Sequence, residues 1–400
     1  MGNKPSRRYQ PKGDESTVFI SKKNDVYRIP ALFYDRDRKI LMAFAEKRKT
    51  SDDASSVAIV MKTGIFKEDE TTHKVTVKWS ELKLLKEAHL HRHRPMSPCP
   101  LYEKTSKTLF LFFMCVEGTI TEQCQIRHNC NKARLCYITS KDGGQSWSKV
   151  TDLTCKFDEI KSWATFAVGP GHGIQTDGGR LIVPVYAYAS CCCSCCHCCL
   201  CCGSCRPTPN ALYLYSDDKG KTWQFVHKLQ TESLECEMAE FFDEGGNSKI
   251  YCNARSKGGN RVEAILHNDR AGLIPLLPTV KLVETGGGCQ GSVVSFPVQS
   301  EAAGVDDDQN QNPNKWLLFT HPSNRSKRTD LGVYLNKFPS DPNAWSKPWI
   351  INSGPSAYSD LAYTGDGWFA CLMERGKHSE IEQIACKVFS YNDVKQGIGK

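Results

Sequence analysis

Arg28 in VYRIPAL, Arg255 in YCNARS and Arg328 in SKRTDLGVYL each stand beside an apolar, strand-like stretch and lie far apart in the chain. A guanidinium presents a planar fork of donors, so three of them gathered by one fold would hold a carboxylate tightly. A lone surface arginine is ordinarily just solvated, and the case rests on what accompanies these three. A second chemical feature is YASCCCSCCHCCLCCGSCRP, residues 188 to 207, which puts ten of the chain's 21 cysteines into the fifteen positions Cys191 to Cys205. A third is HLHRHR at 89 to 94, where His89, His91 and His93 would share one side of a strand. Zinc is conceivable there, but no further ligands are in sight, and a basic loop leading into RPMSPCP is the preferred reading. GGGCQG at 286 to 291 matches Gly-x-Gly-x-x-Gly, yet a dinucleotide loop needs a following helix and the strand-like SVVSFPV follows instead.

The elements that must position such groups read as strands. RIPALFYD, ILMAFAEK, VAIVMKTG, TLFLFFMCV, ARLCYITS, RLIVPVYAY, ALYLYSDD, KWLLFTH and LGVYLNKF are short, alternate with period two, and are bounded by Gly, Pro, Asp or Asn. The chain is therefore expected to be all-β, with WSELKLLKEAHL alone tempting a helix assignment. SKDGGQSW at 140 to 147 and SDDKGKTW at 216 to 223 are copies of one pattern, Ser-x-Asp-x-Gly-x-(Ser/Thr)-Trp, each directly after a strand. Asp caps the turn amides, Gly takes the positive φ and Trp packs back as a plug. A repeated hairpin implies a repeated unit, with a degenerate third copy at HNDRAGL, 267 to 273, and short strands with a recurring turn suggest a β-propeller.

Four hundred residues, 40% hydrophobic and 24% charged, suit one large closed architecture or two domains. No apolar run is long enough to span a bilayer, and MGNKPSRRYQPKGDES offers no signal peptide, so synthesis in the cytosol is expected. Thiols there are held reduced, and the odd cysteine total and adjacent pairs speak against a disulfide framework. The net charge of +8 is uneven, with Lys4, Arg7, Arg8 and Lys12 crowding a polar arm at residues 1–16. Such an arm attracts an acidic surface; without a basic stripe carrying aromatics or any zinc-finger spacing, membrane is the better expectation than nucleic acid. Residues 17–394 form the folded body, interrupted by insertions at about 189–208, cysteine-rich, and 299–315, acidic and polar.

RIPAL, together with the two Asp-box hairpins, resembles the exo-sialidase family, and FAEKR, RPMSPCPLY, TEQ, WATFAVGPGHGIQ, VPVYAY, LECEMAE, GCQGSVVSF, HPSNRSKRTDLGVYLN and AYSDL are similar to its vertebrate intracellular members. The resemblance runs from about Val18 to Phe389 and is greatest to the membrane-associated, ganglioside-cleaving branch. It implies a six-bladed β-propeller that needs no cofactor or metal. By the same resemblance Arg28, Arg255 and Arg328 bind the substrate carboxylate, with Glu374 holding Arg28. Arg48 and Asp53 lie in FAEKRKTSDD, Asp53 being the acid/base. Tyr358 is the nucleophile and Glu240 its base, and Met96, Glu122, Tyr186, Tyr188 and Gln290 line the pocket.

The implied residue types make chemical sense. Sialic acid carries a carboxylate on its anomeric carbon, so an anionic nucleophile would be repelled; a neutral phenol is not, and sialidases differ from most retaining glycosidases in using a tyrosine. The phenol needs a carboxylate to take its proton. Taken singly, Tyr358 reads as a packed strand-end tyrosine and Asp53 and Glu240 as solvated charges; only the joint pattern reverses that. Expected partners are sialylated glycolipids and oligosaccharides. A silent sialoside lectin, a propeller scaffold for protein partners and a trans-sialidase are the alternatives. Met1-Gly2-Asn3-Lys4-Pro5-Ser6 fits the myristoylation pattern at Gly2, and one such chain needs a second anchoring signal. Acylation of the Cys191–Cys205 run would supply it and would hold the protein peripherally on the plasma membrane or an endosomal or lysosomal membrane. A metal–thiolate cluster and plain low complexity are the other readings of that run.

Overall fold

The computed structural model describes residues 12–68, 74–189, 206–226, 228–267, 273–276, 280–299 and 314–399. The basic arm's first eleven residues, the Cys191–Cys205 run and most of both the acidic insertion and HNDRAGL lie outside the described residues.

Antiparallel pairing dominates, and neighbours in a sheet are mostly neighbours in sequence. The first sheet is built on Val26–Asp35, Ile40–Arg48 and Ser56–Glu68, the second on His93–Glu103, Thr108–Glu117 and Ala133–Ser140. The third uses Trp163–Val168, Leu181–Ala189 and Thr208–Ser216, and the fourth Cys236–Phe242, Ser248–Ala254 and Val262–His267. The last sheet has seven strands, in which Trp349–Gly365 pairs through its first half with Thr329–Asn336 and through its second half with Trp368–Arg375.

Each sheet shares a core with the next. Met42 and Phe44 of the first sheet meet Leu111 and Phe113 of the second, and Phe112 of the second clusters with Leu181 and Val183 of the third. Tyr213 reaches Met238 and Ile250 in the fourth, and Phe241 meets Phe319 in the last. Leu372 and Val388 of the last sheet then pack on Leu41 and Ala43 of the first, which closes a ring. The closure is also hydrogen-bonded: Glu15–Ile20, near the start of the chain, pairs with Gln383–Ser390 near its end. This is a propeller-like arrangement, which leaves few sheet edges open.

The two Asp-box hairpins act between sheets. Ser140 donates to Asp142 at 2.8 Å, and Asp142 accepts from the Ser146 amide at 2.9 Å. Ser216, Asp218 and Thr222 repeat the pattern. These bonds hold Asp142 and Asp218 at about 2, below the usual carboxylate range; burial acts in the opposite direction on Asp142. Trp147 then packs edge-on against Phe44 of the preceding sheet, and Trp223 against Phe112 of its preceding sheet. Gly220 must be glycine: at φ +84° a Cβ would lie 2.5 Å from Phe110 of that same neighbour.

Every strand read from alternation is a strand here. Trp79 of WSELKLLKEAHL ends the strand Lys74–Trp79 and the rest is turn and coil around the two-residue strand Lys83–Leu84; His89 lies in coil and His91 in a turn rather than along a strand. Three helices among the described residues were missed by the all-β reading, one of them the four-residue Asp158–Lys161. Glu122–His128 is capped by Thr121, and Tyr391–Ile398 by a Ser390/Asp393 capping box.

Candidate active site

A cavity of about 370 Å³ opens where all five sheets converge. Tyr358, on the long strand Trp349–Gly365, contributes to its lining and is 6% exposed. Its hydroxyl donates to Glu235 Oε1 at 2.5 Å, and Arg255 Nη1 lies 2.8 Å from the other Glu235 oxygen and 3.3 Å from the phenol oxygen. Burial, then Glu235, pushes the Tyr358 phenol well above its ordinary value, so it rests neutral.

Three guanidiniums gather on this ring. Arg28 lies 5.7 Å and Arg328 5.5 Å from its centroid, and Arg255 touches its oxygen. Arg28 is gripped by Glu374 through two parallel bonds of 2.8 and 2.9 Å. Glu374 is fully buried and also accepts from the Ile29 and Tyr358 amides, so one carboxylate sets the spacing between arginine and tyrosine.

The opposite wall holds Asp53 at the start of a short 3-10 turn, Asp53–Ser55, with Asp52 as its cap. Arg48 pins this turn, donating to Glu46 at 2.7 Å and to the Ser51 carbonyl at 3.0 Å. Burial, and then the bond shared with Asp52, raises the Asp53 carboxyl, while Arg48 and Arg94 pull the other way. A carboxyl with raised affinity for its proton can serve as a general acid. Glu122, at the first turn of its helix, accepts from the Tyr186 hydroxyl at 2.8 Å and is likewise pushed up by burial. Met96, Tyr186 and Tyr188 complete that side.

Two expected placements are corrected. Glu240 does not meet Tyr358: it accepts from Ser248 at 2.7 Å and from Lys315 and the Asp177 amide at 2.9 Å. The strand Cys236–Phe242 carries it away, since five residues at about 3.3 Å each move it roughly 17 Å from Glu235. LECEMAE offers three glutamates, and only the ring closure selects the first. Gln290 does not line the cavity but is buried behind it, its amide holding both the N–H and the carbonyl of Ser359 at 3.1 and 3.0 Å. Glu46, Arg94 and Glu235 were missed, because contacts such as Ser97 N–H to Glu46 and Tyr358 to Glu235 join residues distant in sequence.

Behind Tyr358 lies a charged node. His172 Nδ1 is 2.6 Å from Asp360 and 3.6 Å from Glu237, whose second contacts are Ser292, Val293 and Gln290. Among the described residues this is the one grouping with metal-ligand spacing, and its atoms are already paired with one another and with these donors.

A ring of antiparallel sheets with carboxyl groups and guanidiniums gathered around a sugar-sized cavity at its centre defines a propeller-like enzyme of the glycoside-cleaving kind. Residues 39–371 match the family model described as a BNR repeat-like domain. The chain is 40% identical over 394 residues to Sialidase-3 of Homo sapiens, covering 92% of this chain and 90% of that protein. It is 42% identical over 364 residues to Sialidase-2 of Cricetulus griseus, covering 89% and 90%. The solved Hadza microbial sialidase Hz136 shares the fold at a TM-score of 0.70 and 17% identity, over 92% of this chain and 66% of that one. The chain belongs to the sialidase family.

Proposed function

We propose that this sialidase is a retaining exo-α-sialidase that removes terminal sialic acid from oligosaccharides and gangliosides through a covalent bond to Tyr358. The observation that carries it is the Tyr358–Glu235 hydrogen bond set beneath Arg28, Arg255 and Arg328. The arginines take the sugar carboxylate. As the phenol oxygen attacks the anomeric carbon its proton passes to Glu235, and Asp53 gives its own proton to the departing glycosidic oxygen. Asp53, now ionised, takes a proton from water, the hydroxide adds to the anomeric carbon, and the phenolate leaves and recovers its proton from Glu235. Two inversions give net retention. A lectin needs the arginines alone; the paired Tyr358 and Glu235 and Asp53, whose carboxyl is raised by burial, favour hydrolysis.

Six blades are part of the proposal. The two halves of the seven-stranded sheet share one face-to-face core, Leu318 and Val333 against Phe369 and Met373, which supports counting them as two blades. Peripheral attachment through an acylated Cys191–Cys205 run is also proposed, since in the sequence that run follows closely on Tyr188, which lies on the cavity wall. No helix among the described residues is long and apolar enough to cross a membrane. Proton NMR of sialyllactose turnover tests the chemistry: α-sialic acid should appear first and mutarotate later, and β-product first would sink the Tyr358 adduct. Fractionation of cells expressing wild type and a Cys-to-Ser loop variant tests the anchor. Activity should move from membranes to the soluble fraction.

A further inference from the structure

The GGGCQG stretch is no nucleotide loop, yet it bears directly on two of the three arginines. The Gly287 carbonyl accepts from Arg255 Nη2 at 3.0 Å, and the Gly288 carbonyl accepts from Arg328 Nη2 at 2.8 Å. We infer that residues 284–291 form a cradle that aims Arg255 and Arg328 at the substrate carboxylate, and that the buried Arg261–Glu284 pair holds the cradle in shape. The inference rests on the proposed carboxylate-binding role of those arginines.

Two consecutive carbonyls can face two different guanidiniums only where the backbone turns sharply. Gly288, at φ +87°, makes that turn, its amide donating to the Thr285 carbonyl at 2.6 Å. It is also pressed against its client: a Cβ there would lie 2.2 Å from the Ser256 carbonyl and 2.7 Å from Arg255 Nε. The cradle is tied to both arginine-bearing segments. Glu284 accepts from the amide of Ser256, next to Arg255, at 3.1 Å, and the Thr285 hydroxyl donates to the carbonyl of Lys327, next to Arg328, at 2.7 Å.

Glu284 is the centre of this arrangement. It is fully buried and accepts from the Thr285 and Cys289 amides at 2.9 and 3.1 Å, so it closes the loop on itself. Arg261, also fully buried, donates to Glu284 at 2.8 Å, to the Cys289 carbonyl at 2.5 Å and to Asn253 at 2.8 Å. A carboxylate that collects three amides and a guanidinium in the dry interior is an organising group, because removing its charge leaves donors unsatisfied. Neither Arg261 nor Glu284 lines the cavity. They are positioning residues.

The test compares two competitive inhibitors, a 2,3-unsaturated sialic acid and its carboxamide, on the full chain and on Gly288→Ala, Glu284→Gln and Thr285→Val, with thermal melting of each. Wild type should strongly prefer the carboxylate. The preference should fall about tenfold or more in Gly288→Ala and Glu284→Gln, the scale of a hydrogen bond to a charged group, and by less in Thr285→Val. A purely structural role would weaken both inhibitors alike and leave the ratio untouched. Folded variants that keep the wild-type ratio overturn the cradle. A wild type without any preference overturns the carboxylate reading beneath it. If Glu284→Gln does not fold, the ratio in the other two variants decides.

Discussion

In the proposed reaction Tyr358 would be a weak nucleophile by itself, and burial would make it weaker, so its reactivity would have to come from Glu235 at 2.5 Å. Tyr358→Phe should lose about three orders of magnitude or more in kcat, as removal of a covalent nucleophile does. Glu235→Gln should fall by a comparable order. Glu240→Gln should keep kcat within a few-fold while lowering stability by about 1–3 kcal/mol, because its partners are Lys315 and Ser248 rather than the phenol. Parallel kinetics and melting of the three variants separate these outcomes; a Glu240→Gln enzyme as dead as Tyr358→Phe would reinstate the glutamate first expected. Asp53 carries a pH prediction. The leaving oxygen needs a protonated acid, and burial raises the Asp53 pKa, so kcat/KM for sialyllactose should decline as pH rises through that raised value. Asp53→Asn, with no proton to lose, should show a low and flat rate across the same range.

At the scale of elements, the two Asp-box hairpins hold the second sheet to the first and the third to the second. Trp223 fills the seam between the third sheet and Phe110 and Phe112 of the second, and it is 8% exposed. Trp223→Ala should cost about 3–5 kcal/mol in chemical denaturation, the range for deleting a large buried aromatic. Its kcat at low temperature should remain, since no residue of the hairpin lines the cavity. The hairpin motif could be read in the sequence because its bonds are local, Ser to Asp to Thr within seven residues. The helix Glu122–His128 could not: its seven residues carry no clear amphipathic period, and only the Thr121 cap marks its start.

Across the whole molecule, groups from several sheets meet in the node behind Tyr358. His172 touches Asp360 and Glu237, and Asp360 also accepts from the Leu32 amide of the first sheet. Burial would pull the imidazole down, but Asp360 and then Glu237 outweigh it and push His172 up to about 9. With the folded value raised above 6.5, the stability this group adds is fully present below about pH 6.5 and is lost as pH rises through about 9. Melting temperature measured across that interval should fall in wild type and change less in His172→Gln. An unchanged slope in the variant would place the alkaline loss elsewhere.

The sequence by itself determined what is local. Period-two alternation in stretches such as TLFLFFMCV and RLIVPVYAY dictated strands, the repeated turn chemistry of SKDGGQSW and SDDKGKTW dictated hairpins, and RIPAL with AYSDL pointed to the residues now found around one cavity. Tertiary structure alone decided which of the three glutamates in LECEMAE faces Tyr358, that Gln290 supports the Ser359 backbone instead of lining the cavity, and that two carbonyls of GGGCQG accept from Arg255 and Arg328. The reason is one of range. Alternation and turn bonds act over a few residues, whereas Glu235 and Tyr358 are 123 residues apart in the chain and are joined only when the ring of sheets closes.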